Sequence, residues 1–145
     1  NTSFGLKLTY TSTNLLYSNM SSESLFTVPE LSRELHITER TIRFYETKGL
    51  VTPRRVGKTR IFNYKDKARL VIVLRAKKLG FSLSEIKTYL DLYDVDPNHN
   101  KQSQNALKAI KHRLIKLEDQ QKEIKTLVSE LKQLEKDIKF SLKEN

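Results

Sequence analysis

ERTIRFYETKGL, residues 39–50, is the stretch whose reading decides the fold. It reads as one short amphipathic helix. Thr38 is a good N-cap, Glu39 lies in the first turn where the helix dipole favours a carboxylate, and Gly49 suits the left-handed conformation that ends a helix. Ile42 and Tyr45 lie three apart and Glu46 four from Ile42, so these make an inward face while Arg40, Arg43, Phe44 and Thr47 spread over the others. A helix with cations off its packing face, here Arg40, Arg43 and Lys48, has the character of one made to enter a DNA groove.

Just upstream, Thr27 and Glu30 are spaced as a capping box, and Pro29 is tolerated in a first helical turn. Leu31 and Leu35 give that helix an apolar stripe. Only His36, Ile37 and Thr38 separate the two helices, which predicts a helix-turn-helix whose second member carries the DNA contacts. An ordinary αα-hairpin has the same spacing.

Downstream, Pro53 discourages helix, and Gly57-Lys58 is a turn signal flanked by β-branched and aromatic residues, as in a two-stranded hairpin. Arg54, Arg55, Lys58 and Arg60 cluster there with no acid among them. A basic ribbon beside a recognition helix is a wing that reaches phosphates or an adjacent minor groove; the plainer reading is an exposed turn kept in water by its charge. Asn63 with Asp66, and Ser82 with Glu85, signal two further helix starts. Leu70, Val73, Leu74 and Leu79, then Leu83, Ile86, Leu90 and Tyr93, supply the packing faces of those helices, and Gly80 separates them.

The charge supports a polyanionic partner. The chain has 145 residues and a formal net charge of +10. Between Glu39 and Lys78 there are thirteen basic and three acidic residues, so this one segment holds the whole excess. A solvated lysine-rich face is the alternative. There is no cysteine, so disulfides and thiolate metal sites are excluded. His36, His99 and His112 fall in the hairpin turn, a linker and a long helix, so no metal and no cofactor is expected. No apolar run approaches the roughly 18 residues of a membrane span, so a soluble protein with no membrane partner is expected. A phosphate-cradling glycine loop and a nucleophile with its base are lacking, which argues against an enzyme. Residues 1–24, rich in Ser, Thr and Asn, read as a disordered leader, with Met20 a possible start.

Thr41 to Glu46 (TIRFYE), Lys48 to Leu50, Pro53, Arg60 to Phe62 and Leu79 to Ile86 (LGFSLSEI) follow one another in an order and spacing that resembles the MerR family of transcription regulators. The resemblance covers about Leu25 to Tyr93. It implies a bacterial, cytoplasmic, nucleoid-associated regulator with a winged helix-turn-helix head, a dimerisation helix and a palindromic operator. It further implies that the dimer bends and untwists the promoter spacer for RNA polymerase. By motif, Arg43 matches the family's recognition-helix arginine, Tyr45 its phosphate-contacting tyrosine and Arg60 its wing arginine; Thr59 stands where many members have a wing tyrosine. The block from Leu79 to Asp96 is also similar to regulators of leucine, branched-chain or acyl-CoA breakdown genes. Members sensing thiophilic metals use cysteines, which this chain lacks. Members sensing drugs carry a ligand domain after the coiled coil, and the residues after Ile138 are too few to form a pocket. The effector is left open.

Asp94 to Asn100 reads as a polar linker. Beyond it, Leu107, Leu114, Gln121, Val128 and Glu135 fall at one heptad position and Ile110, Leu117, Ile124, Leu131 and Ile138 at the other, which indicates a coiled coil. Residues 101–140 make a rod ~60 Å long at about 1.5 Å per residue. A second copy is the simplest cover for this stripe, with packing on the head as the alternative; the heptads leave orientation open, and the resemblance favours antiparallel. Gln121 is the candidate for fixing register.

The expected architecture is thus mainly α. A winged helix-turn-helix head over 25–93, a linker over 94–100, a long coiled-coil dimerisation helix over 101–140 and a tail over 141–145 follow one another. The expected DNA contacts are Arg40, Thr41, Arg43, Tyr45, Lys48, Arg54, Arg55, Lys58 and Arg60. The expected partners are double-stranded DNA, a second copy and RNA polymerase. A coiled-coil adaptor or recombination accessory protein with the same scaffold is the rival class.

Overall fold

A computed structural model describes residues 24–95, 98 and 100–145. The expected leader lies outside the described residues except for Ser24. In chain order the elements are β1 (Leu25–Phe26), α1 (Val28–Leu35), α2 (Glu39–Thr47), β2 (Arg54–Val56), β3 (Thr59–Asn63), α3 (Tyr64–Lys78), α4 (Leu83–Val95) and α5 (Asn100–Glu144). The described residues divide into two compact units, one ending at Gln102 and one starting at Ser103.

In the first unit the helix boundaries have visible causes. Thr38 Oγ1 accepts the Thr41 N–H at 3.1 Å to start α2, and the Thr38 and Thr41 hydroxyls share a further hydrogen bond of 2.8 Å. Asn63 with Asp66, and Ser82 with Glu85, each form a complete capping box. At the start of α1 the box is altered. Thr27 Oγ1 accepts the Glu30 N–H and its hydroxyl donates to the Glu30 carboxylate at 3.0 Å. His36 caps the end of α1 in the left-handed region, with φ 54°. Gly49 leaves α2 at φ 75°.

The sheet has the order β1-β3-β2, all antiparallel, with Phe26 opposite Phe62 and Arg55 opposite Arg60. Its central strand delivers Phe62, fully buried, into a core shared by Leu31 of α1, Ile42 of α2, Leu50, Val51, Leu70 and Val73 of α3, and Ile86 and Leu90 of α4. Helix α3 buries residues on most of its circumference, including Ala68, Leu70, Ile72 and Val73, as the central helix of a small domain must. Burial pushes the Asp66 carboxyl up, opposed by the Asn63 N–H and the charge of Arg69. Arg69 also straps the head together, donating to the Leu50 carbonyl at 2.9 Å and to Asp91 at 3.3 Å. Asp91 loses some hydration, but Lys87 and Arg69 together hold its carboxyl below the usual carboxylate range.

Three details differ from the sequence expectation. Strand β1 has no counterpart in it. Leu79, assigned to a packing face, is 42% exposed at the C-cap of α3. The helices also run further than expected: α4 extends to Val95, and α5 continues to Glu144, through the expected tail. The heptads end at Ile138, but the residues after it include no glycine or proline to stop a helix. Among the described residues no helix is long and apolar enough to cross a membrane.

Replacing Phe62 by Ala should lower stability by about 3–5 kcal/mol. The same truncation at Phe44, which is 46% exposed, should cost within about 0.5 kcal/mol. Urea unfolding of both variants checks this, and equal losses would contradict the core described above.

Candidate nucleic-acid interface

The presented face of α2 follows from what the other face buries. Ile42 and Tyr45 turn into the core, at 0% and 7% exposure. Arg40, Arg43, Phe44, Thr47 and Lys48 are the residues left exposed, and their spacing of three and four makes them one continuous stripe. Arg43 Nη2 reaches Glu39 Oε2 at 3.3 Å, one turn back, an exposed pair that a phosphate or base can displace at small cost. Lys48 Nζ stands 5.5 Å from the centre of the Phe44 ring. Thr47 returns its hydroxyl to the Arg43 carbonyl. Thr41, half-buried, is engaged with the Thr38 cap.

Tyr45, matched by motif to a phosphate-contacting tyrosine, buries its ring, but its hydroxyl is not sealed from solvent. Its ring packs inside, and burial pushes its phenol pKa up. The aromatic on the stripe is Phe44, which has no hydroxyl to offer a phosphate. The sequence contained this signal: Phe44 lies four residues after Arg40 and four before Lys48, whereas Tyr45 is three from Ile42.

The wing is a two-residue hairpin in which Val56 pairs with Thr59 across Gly57 and Lys58. Gly57 has φ 62° and Lys58 a negative φ, as in a type II′ turn with glycine at its first central position. Arg54, Arg55 and Lys58 are exposed. Strand alternation places Arg60 on the same face of β3 as buried Phe62, and Arg55 opposite it on β2. Both arginines meet Glu46 of α2: Arg55 Nη2 lies 3.4 Å from Oε1, and Arg60 Nε bonds Oε2. Glu46 was read in the sequence only as part of the helix's inner face. Its partners are nine and fourteen residues away, beyond the reach of any helical periodicity.

The arrangement thus joins an exposed basic helix stripe to a basic ribbon through one carboxylate. Chemically it suits anionic oxygens and base edges. Among the described residues no group of three or more His, Cys, Asp or Glu side chains is placed to hold a metal ion. In the second unit the expected seam positions Leu107, Ile110, Leu114, Leu117, Gln121, Ile124, Val128, Leu131 and Ile138 are all exposed on α5.

The profile of the MerR HTH family regulatory protein matches residues 26–92, and that of the MerR DNA-binding region matches residues 67–134. The mercuric resistance operon regulatory protein of Bacillus cereus is 30% identical over 122 residues, spanning 83% of this chain and 87% of that relative. The ZntR homolog of Haemophilus influenzae is 34% identical over 106 residues, 72% of this chain and 71% of its own length. Among solved structures, HiNmlR, a MerR family regulator lacking the sensor domain and bound to promoter DNA, is 26% identical with a TM-score of 0.50, covering 76% of this chain and 77% of that one.

Gly57→Ala should destabilise the wing by about 1 kcal/mol, because a Cβ disfavours positive φ although nothing lies within 4 Å of it. Chemical denaturation measures the loss; an unchanged midpoint would show that the turn has no need of positive φ.

Proposed function

The chain belongs to the MerR family of DNA-binding transcriptional regulators, and from that premise we propose that it acts as a homodimer gripping an inverted repeat in promoter DNA through α2 and the wing. The observation that carries this reading is the stripe of Arg40, Arg43, Phe44, Thr47 and Lys48, exposed opposite buried Ile42 and Tyr45. Arg40 and Arg43 lie in the part of the helix that enters the groove first in helix-turn-helix docking. Lys48 and the wing cations Arg54, Arg55, Lys58 and Arg60 supply phosphate contacts that fix orientation. Tyr45 anchors α2 by its ring and offers its hydroxyl to phosphate. A dimer carries two such helices, so its target is an inverted repeat.

Among antiparallel registers of the proposed seam, one uses every heptad position. In an antiparallel pair, Leu107 of one copy meets Ile138 of the other, Ile110 meets Glu135, Leu114 meets Leu131, Leu117 meets Val128 and Gln121 meets Ile124. Glu118 of one copy then lies beside Lys125 of the other, twice by symmetry. A parallel pair in register would instead bury Glu135 against Glu135, two like charges in one layer. The antiparallel register sets Lys111 beside Lys132, but at an exposed edge, where such repulsion costs a few tenths of a kcal/mol, roughly.

The functional consequence is regulation at a promoter. Distortion of an over-long spacer, bringing both promoter elements within reach of RNA polymerase, would draw its energy from the phosphate contacts of head and wing. Transcription regulation also locates the protein with the nucleoid in a bacterial cytoplasm. The recombination-accessory rival shares the scaffold, but the relatives bear the names of regulators. Breakdown of leucine, branched-chain compounds or acyl-CoA is the regulon to examine first, on the resemblance of Leu79 to Asp96.

Selection of bound genomic fragments by the purified chain, followed by footprinting, should return an inverted repeat lying between promoter elements; footprints at recombination sites would overturn the regulator reading. Arg43→Ala should weaken binding to the selected duplex by about 1–3 kcal/mol, and an unchanged isotherm would remove Arg43 from the interface. The absence of native cysteine makes the register testable. A chain carrying both Leu117→Cys and Val128→Cys should cross-link on oxidation while each single variant stays uncross-linked. Cross-linking of the single variants would mean parallel helices.

A further inference from the structure

Glu46 is the only acid between Arg40 and Lys65, in the segment where the basic residues of the interface are concentrated. A carboxylate so placed repels phosphate, and as a mere surface ion pair it would contribute about 0–1 kcal/mol to stability. Its geometry is more specific. Arg55 and Arg60 are directly opposed across the β2–β3 ladder, where two like charges destabilise a strand pair. Glu46 reaches in from a different element and divides its oxygens between them, Oε1 to Arg55 and Oε2 to Arg60. Its side chain and that of Arg60 are only 20% and 25% exposed. Each guanidinium has five N–H donors. The bonds to Glu46 engage Nε of Arg60 and Nη2 of Arg55, so other donors of both can meet phosphate.

We propose that Glu46 is a positioning residue for DNA recognition: it locks the two wing arginines at a fixed angle to α2, trading raw affinity for discrimination between the operator and other DNA. This rests on the DNA-binding function proposed above. Loose arginines would follow any phosphate backbone. Arginines held by one carboxylate on the reading helix engage the backbone only where the base edges also suit that helix, so a preference for sequence is coupled to contacts that carry none themselves.

The test uses the full chain, the tightest duplex from the fragment selection and a scrambled duplex of equal length and composition. Glu46→Gln removes the charge and should bind scrambled DNA several-fold tighter while the ratio of specific to scrambled affinity falls about tenfold. Glu46→Asp keeps the charge but shortens the reach. It should leave scrambled affinity unchanged and still lower the ratio. In an Arg60→Ala background, Glu46→Gln should lower the ratio much less. Parallel tightening on both duplexes by Glu46→Gln, with the ratio intact, would reduce Glu46 to a local repulsive charge. A fall in melting temperature with the ratio intact would reduce it to a structural ion pair. Either result overturns the proposal. Failure of the underlying reading looks different: the wild-type chain would then show no preference for any selected duplex, and the proposal would fall with it.

Discussion

Burial of Phe62 is the constraint on which the head depends. It lies on the central strand of the sheet, opposite Phe26 of β1, and reaches the core formed by all four helices of the first unit. Because side chains alternate along a strand, fixing Phe62 inside fixes every other residue of β3. Arg60 must share its face and turn toward α2. Ile61 must take the other face, opposite Arg54. Asn63 is left at the end of the strand, where its side chain caps α3. A one-residue slip would withdraw Phe62 from the core, turn Arg60 away from Glu46 and remove the cap from α3. Packing and interface geometry are therefore set by the same register.

Much of this was legible in the sequence because the signals are local. Thr38, Asn63 and Ser82 are caps whose partners lie three residues ahead, and Gly49, Gly57 and Gly80 all adopt the positive φ that their positions demand. The apolar spacing from Leu107 to Ile138 repeats often enough to announce the long helix α5. Strand β1 was illegible because two residues carry no periodicity; it exists only because β3 offers an edge to pair with. Leu79 fitted a helical spacing, but the helix ends on it, and the chain turns away before it can pack.

The candidate site was read less fully, for the same physical reason. Which residues of α2 point outward follows from the buried pair Ile42 and Tyr45, and spacing alone contains that information. A motif match does not: it leaves unsaid that Phe44 is the exposed aromatic while the Tyr45 ring packs inside. The role of Glu46 depends on a tertiary approach between α2 and the wing. Helical spacing places Glu46 on the inner face of α2, but nothing in the local sequence names the wing arginines as its partners.

The net charge of +10 also needs to be divided by what each cation is doing. Lys67 is held by Glu34, and Arg69 bonds two carbonyls and Asp91, so both serve the fold. Arg55 and Arg60 are held by Glu46, whereas Arg43 pairs with Glu39 only at the exposed surface. Arg40, Lys48, Arg54 and Lys58 stand exposed with no ion pair shown. Exposed, flexible cations give affinity for any polyanion, with a strong dependence on salt. Cations whose orientation is fixed lose that generality, because a phosphate must come to them at the right place. The proposed interface combines both kinds on adjoining elements, so affinity and register can be tuned by different residues of one small head.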